Sequence, residues 1–307
     1  VVAGVQVQVL VVADPQDTLR VQDVADRAFD AYARVLADLE GAAGPEAALA
    51  REAGVAPTPL SADAFTLVSE SVRLAALTDG AWDPTAAVFS VLWPFHDPTF
   101  NQAPPAEEVA RRVPLCDHRQ VSLDPVGRTA MLRRSGMRLG LGELTRALAL
   151  ERALDTLREN GMGDAMVYAG GDLVAGGHKA GKPWMVGIQD PRGAGHFAAV
   201  PVAAGALFTV GDYEQSFMER GRRQHAVLDP RTGLPARGVR SATVLAPSAV
   251  EAAALSRAVF VLGPDRGLRL LERVPRADAI VVDDRNRVVV TKRLAGTVRY
   301  RPPTDGP

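Results

Sequence analysis

The stretch His225-Ala-Val-Leu-Asp229-Pro230-Arg231-Thr232-Gly233-Leu-Pro235 runs from a short apolar segment into a dense turn. A turn needs only Asp-Pro at its start and a Gly at a positive-φ position. The added Arg and Thr are donors, and the His lies on the strand leading in. Such a collection of side chains asks whether the turn is a site or only a corner.

The 307 residues suffice for one large domain or two small ones. The chain carries 35 Lys+Arg against 36 Asp+Glu, without the basic surplus of a general nucleic-acid binder. Cys116 is the single cysteine, so neither an intramolecular disulfide nor a Cys-based zinc site is available. No apolar run approaches the roughly 20 residues of a membrane span. The sequence starts VVAGVQVQVL without Met, which is compatible with a removed leader or a trimmed chain.

Working outward from the turn, Val5, Val7 and Val9 alternate with Gln6 and Gln8 as in a half-buried strand. Residues 17–40 read as a helix with Val24, Ala28, Val35 and Leu39 on one face. Residues 41–59 read as a loop with a short helix, and Ser61 caps a helix running to about Thr78-Asp-Gly80. Residues 120–134 read as a hairpin around Asp124-Pro-Val-Gly127. Leu144, Ala147, Leu150, Leu154 and Leu157 keep helical spacing, and Gly161 suits the C-terminal cap. Strands then dominate, including DAMVYAG, PWMVGIQD, GALFTVGD, RQHAVLD and SATVLA. A capping box, Ser248 with Glu251, opens a helix expected to stop at Gly263, and residues 279–291 form a last hairpin. This order predicts a single α+β domain over residues 1–307, with a mixed β-sheet core and a smaller N-terminal helical lobe.

Further stretches could carry chemistry. Gly170-Gly171-Asp172 ends a strand, where two glycines admit a close backbone or ligand. Gly211-Asp212-Tyr213-Glu214 offers a carboxylate beside an aromatic ring. Trp82-Asp83-Pro84-Thr85 with Leu92-Trp93-Pro94-Phe95 reads as a core corner or an aromatic wall. Taken singly, GGD is most simply a turn and His225 a structural histidine.

Their order and spacing resemble the ApbE family: GAWDPTAAVFSVLWPF, then GGDL, PWMVGIQDP, GDYE, HAVLDPRTGLP and AVFVLG, across about residues 62–292. The resemblance implies an FAD:protein FMN transferase, which binds FAD with magnesium at its pyrophosphate, moves the FMN half to a Thr or Ser of a target flavoprotein and releases AMP. It also implies export to the periplasm or another extracytoplasmic compartment, often with a lipid anchor. On that reading His225 and Asp229 are the catalytic candidates. Gly170, Gly171, Asp172, Gly211, Asp212, Tyr213, Arg231, Thr232, Arg146 and Arg257 are the candidates for binding the flavin nucleotide. The strand-end residues among them are expected to gather round one cleft.

Three departures stand against the family pattern. Where it usually reads DLGGIAKGYAVD, this chain has Gly140-Leu-Gly-Glu143-Leu-Thr145-Arg146-Ala147-Leu148, with Arg146 at the Lys position. Where it shows ADALATALFVLG, the metal-facing Asp and Thr positions hold Ala253 and Arg257. Ala has no ligand atom and Arg is a fixed cation, so no protein metal ligands are expected and magnesium binding should be absent or weakened. The Ser- and Asn-bearing segment of the family has no counterpart near residues 37–55. A pairing of Arg257 with Glu143 or Glu151 is the expected replacement. Three functions stay open: a working transferase, a non-catalytic relative that binds a flavin nucleotide or a partner protein, and a structural subunit without the pocket.

Overall fold

The computed structural model describes residues 4–306. Its frame is a seven-stranded sheet in the order β1 (Val7–Val11), β5 (Ala165–Ala169), β6 (Asp172–Gly176), β9 (Gly205–Gly211), β14 (Val239–Ala246), β15 (Asp278–Asp283) and β16 (Val288–Val290). The sequence suggested a mixed sheet, but each neighbouring pair is antiparallel. Tight hairpins account for part of this, because a two-residue turn can only join antiparallel strands. Between β5 and β6 that turn is Gly170-Gly171, both at positive φ, with Ala169 opposite Asp172.

Side-chain alternation decides what covers each face. Ala165, Val167 and Ala169 join the core that holds α1 (Thr18–Leu39), α3 (Ala62–Leu77), α5 (Gly142–Glu159) and α6 (Ala249–Leu271). Met166 and Tyr168, one residue out of step, pack against a second core on the other face. That core is built by the small sheet β7 (Trp184–Gln189), β8 (His196–Val202) and β17 (Arg299–Tyr300). Remaining elements are the α2 turn (Pro45–Arg51), α4 (Ala106–Arg112), the sheet β2 (Thr58–Pro59)–β4 (Thr129–Leu132)–β3 (Val121–Asp124), and the hairpins β10 (Ser216–Glu219)–β11 (Arg222–His225) and β12 (Leu228–Asp229)–β13 (Leu234–Pro235).

The N-terminal helices do not form a separate lobe. Val24, Ala28, Tyr32, Leu36 and Leu39 of α1 and Leu67, Val68 and Leu74 of α3 belong to the main core. Only Val88, Phe89, Trp93 and Val109 make a satellite cluster, roofed by Phe95, Phe100 and Phe217. The expected stop at Gly263 is a kink: at φ 77° it interrupts the helix, which restarts at Pro264 and runs to Leu271. The capping box of α6 is half formed. Ser248 Oγ accepts the Glu251 amide, while the Glu251 carboxylate pairs instead with Arg73 of α3 at 2.7 Å.

Candidate functional site

The turn that opened the question satisfies itself. Asp229 accepts the Arg231 amide at 3.0 Å, and its two carboxylate oxygens take the Arg231 Nε and Nη2 donors at 2.8 and 2.7 Å. Gly233, at φ +68°, donates its amide to the Asp229 carbonyl at 2.8 Å. A Cβ there would come within 2.4 Å of Phe89. The Trp93 indole N–H donates to the Gly233 carbonyl at 3.0 Å. Arg231 and Thr232, expected to offer donors to a nucleotide, thus have their polar groups engaged within the turn, and Leu228 and Pro230 are the residues that reach the cleft.

His225 is buried behind that wall. Its Nε2–H donates to the Ala236 carbonyl at 2.9 Å, and its ring meets Phe260 edge-on. Nδ1 is buried without a partner. Burial holds the imidazole down to about 4, so the ring is neutral at pH 7 and Nε2 carries its proton. Asp212 is also engaged. Arg192, from the QDP segment after β7, forks onto both its oxygens at 2.7 Å with both side chains about nine-tenths buried. Gly211 is packed under the ring of Tyr213.

What remains open is a chain of three cavities. The first, of about 410 Å³, is lined by Trp82, Trp93, Phe95 and His96 on one side and by Gly142, Glu143, Arg146 and Arg257 on the other. A second, of about 60 Å³, shares Glu143, Arg146 and Arg257 with it and adds Asp172, Gly211, Glu214 and Ala253. The third is a groove of about 790 Å³ on the opposite side of Glu214 and Gln215, where Gly170, Gly171 and Tyr213 lie. The single cleft expected from the strand ends is therefore divided by the segment 213–215.

Charge concentrates in the small cavity. The Arg257 Nε donates to Glu143 at 2.5 Å and its Nη2 pairs with the same carboxylate, each side chain being 28% exposed. Its Nη1 reaches the Ala226 carbonyl at 3.4 Å. The expected replacement pair is thus Glu143 rather than Glu151, which accepts the Ala249 amide and caps α6. Asp172 accepts the Thr209 amide at 3.1 Å, and burial pushes its carboxyl up to about 8. Burial also pushes Glu214 up to about 6, with Arg257 opposing, Glu143 adding to the rise and Arg146 opposing. Arg146 is exposed on the second turn of α5 and has no hydrogen-bond or ion-pair partner among the described residues. The start of α5 is not free either: Glu46 of α2 reaches across to accept the Leu141 amide.

Arg146, Arg257 and Asp172, named from the sequence, line these cavities, and so do Glu214 and Gln215, which the sequence reading did not name as ligand-facing groups. β9 ends at Gly211 and residues 212–215 form a turn and bend, so no strand alternation in the sequence announces where Glu214 and Gln215 point.

The profile of the ApbE family matches residues 3–281. The chain belongs to the ApbE family. It is 32% identical over 272 residues to the FAD:protein FMN transferase of Treponema pallidum (strain Nichols), covering 82% of this chain and 74% of that protein. The corresponding enzyme of Haemophilus influenzae is 30% identical over 248 residues, covering 78% and 71%. Among solved structures, the ApbE protein of Thermotoga maritima superposes with a TM-score of 0.87 at 27% identity over 97% of both chains. The flavin transferase ApbE of Vibrio cholerae shares the fold, with a TM-score of 0.80 at 22% identity over 96% of both chains. Among the described residues no helix is long and apolar enough to cross a membrane.

Proposed function

We propose that this ApbE-family chain is an FAD:protein FMN transferase that holds FAD in the cleft between Trp82 and Arg146. The FMN half passes to a Thr or Ser of a target flavoprotein, and AMP leaves. The observation that carries this reading is the 410 Å³ cavity, with aromatic rings on one wall and an unpaired guanidinium on the other. A planar ring system buries against Trp82, Trp93 and Phe95, while anionic groups face Arg146 and Arg257.

Phosphoryl transfer asks the protein mainly for positioning and charge neutralisation. Arg146 supplies both at the cavity mouth. His225, neutral and hydrogen-bonded to Ala236, holds the Ala226–Leu228 wall in place, and Asp229 fixes the turn behind it. These two act by positioning.

Magnesium, which the resemblance implies, does not fit the donors present. Ala253 lines the small cavity without a ligand atom, and the Arg257 guanidinium lies in the same space. Among the described residues no three His, Cys, Asp or Glu side chains are grouped to hold a metal ion. Those same two residues favour a second reading, in which the chain binds a flavin nucleotide or a partner without transferring FMN.

Incubating the protein with FAD and a candidate acceptor flavoprotein, with chromatography for AMP and mass spectrometry of the acceptor, separates the readings. Equal AMP release and FMN attachment support transfer. FAD binding without AMP supports the second reading in its flavin-binding form, and no FAD binding at all overturns both the transferase reading and that form. Export, with or without a lipid anchor, goes with the transferase reading, and cell fractionation tests it.

A further inference from the structure

We propose that this site receives the diphosphate of its nucleotide on Arg146 without a divalent cation, the Arg257–Glu143 pair standing where a cation would otherwise be needed. The inference rests on the flavin-nucleotide reading above and specifies how that site recognises its ligand.

Three observations converge on it. First, Arg146 lines both the large and the small cavity, and no carboxylate among the described residues is paired with it. A guanidinium is always charged and presents donors in a fork that matches phosphate oxygens, so an unpaired one in a concave site is a receptor for an anion. Second, the neighbouring positive end of α5 is taken. Glu46, from a segment about 95 residues earlier in the chain, accepts the Leu141 amide and fills the place where an anion would meet the helix terminus. An incoming phosphate is thereby directed to the second turn, where Arg146 stands.

Third, the small cavity already holds its positive charge. Arg257 is anchored by Glu143 and by the Ala226 carbonyl, with Ala253 one turn earlier on the same helix. A hard divalent cation held through one or two carboxylates would sit beside a permanent cation here, and Glu143 is already paired with that cation. In the large cavity an anion meets Arg146, unpaired among the described residues, and Arg257, while the carboxylates there, Asp83 and Glu143, are held by Thr85, His118 and Arg257; Asp172 and Glu214 line the small cavity. The aromatic wall of Trp82, Trp93 and Phe95 across the same cavity sets the ligand class as a heteroaromatic ring joined to a phosphate chain.

The test is equilibrium binding of riboflavin, FAD and ADP to the full chain, in EDTA and in magnesium, by flavin fluorescence and calorimetry. FAD and ADP affinities should agree within about twofold between the two buffers, and Arg146→Ala should weaken both about tenfold while riboflavin is unchanged. Arg146→Lys should recover part of the loss, and Arg146→Gln serves as a second variant if the first is poorly folded by circular dichroism. The double change Ala253→Asp with Arg257→Thr should make ADP binding respond to magnesium. Loss of FAD binding in EDTA with recovery in magnesium overturns the inference and leaves the flavin reading standing. Unchanged ADP binding in folded Arg146→Ala and Arg146→Gln also overturns it. Absence of binding by all three ligands in both buffers overturns the flavin reading as well.

Discussion

Arg192–Asp212 and Arg257–Glu143 join the same two chemical groups in different settings. The first is forked through both oxygens and about nine-tenths buried, and it ties the loop after β7 to the end of β9. The second is 28% exposed and uses one carboxylate oxygen at the edge of a cavity. A buried pair is structural because separating its partners leaves a charge without water. A pair at a cavity edge can exchange its partner for a ligand at little cost. The motif acid Asp212 is therefore part of the frame, whereas Glu143, in a segment that departs from the family pattern, lies at the cavity edge.

The comparison breaks most severely at Asp212. Asp212→Ala leaves Arg192 buried and unpaired, and should lower unfolding stability by about 3–5 kcal/mol in urea titrations. A loss under about 1 kcal/mol would place the pair with the exchangeable kind.

Next comes acid sensitivity at His225. Burial holds its folded value at about 4, below the ordinary imidazole value of about 6.5. As pH falls the unfolded chain takes the proton first, so stability is full above the unfolded value and is lost as pH drops through the folded one. The loss should approach about 3 kcal/mol, and denaturation curves of His225→Gln should lack that component. Equal acid slopes for the two proteins would contradict the buried, neutral ring.

Gly233→Ala should cost about 1–3 kcal/mol, because its Cβ meets Phe89 and its φ is +68°. Thermal unfolding reads this, and an unchanged midpoint would mean that the turn relaxes freely. The smallest effect is at Glu143. Glu143→Gln should change stability by less than about 1 kcal/mol, while ADP binding tightens as Arg257 is released. Weaker ADP binding in this variant would assign Glu143 to holding Arg257 in its receiving position.

The secondary structure was largely legible because its signals are local. Leu144, Ala147, Leu150, Leu154 and Leu157 are all buried on α5, and Gly161 takes positive φ after it. The hairpin at Asp124–Gly127 lies where the turn residues put it. What the sequence hid is set by partners far along the chain. Nothing near Asp212 announces Arg192, and nothing near Glu251 announces Arg73. On α1 Val24, Ala28 and Leu39 are buried as expected and Val35 packs partly buried against the core, while Tyr32 and Leu36 complete the same face without having been named.

The clasp between Glu46 and Leu141 also carries a consequence for the order of assembly. It closes a span of 95 residues, and Arg257–Glu143 closes one of 114. Chain entropy opposes such closures until surrounding contacts compensate for them. On a ribosome, α5 emerges with Glu143 and Arg146, and the arginine that completes their side of the cleft follows more than a hundred residues later. A nascent chain halted before α6 therefore carries the aromatic wall and Arg146 across from it but lacks Arg257, so the lining of the cleft is incomplete until synthesis is nearly done.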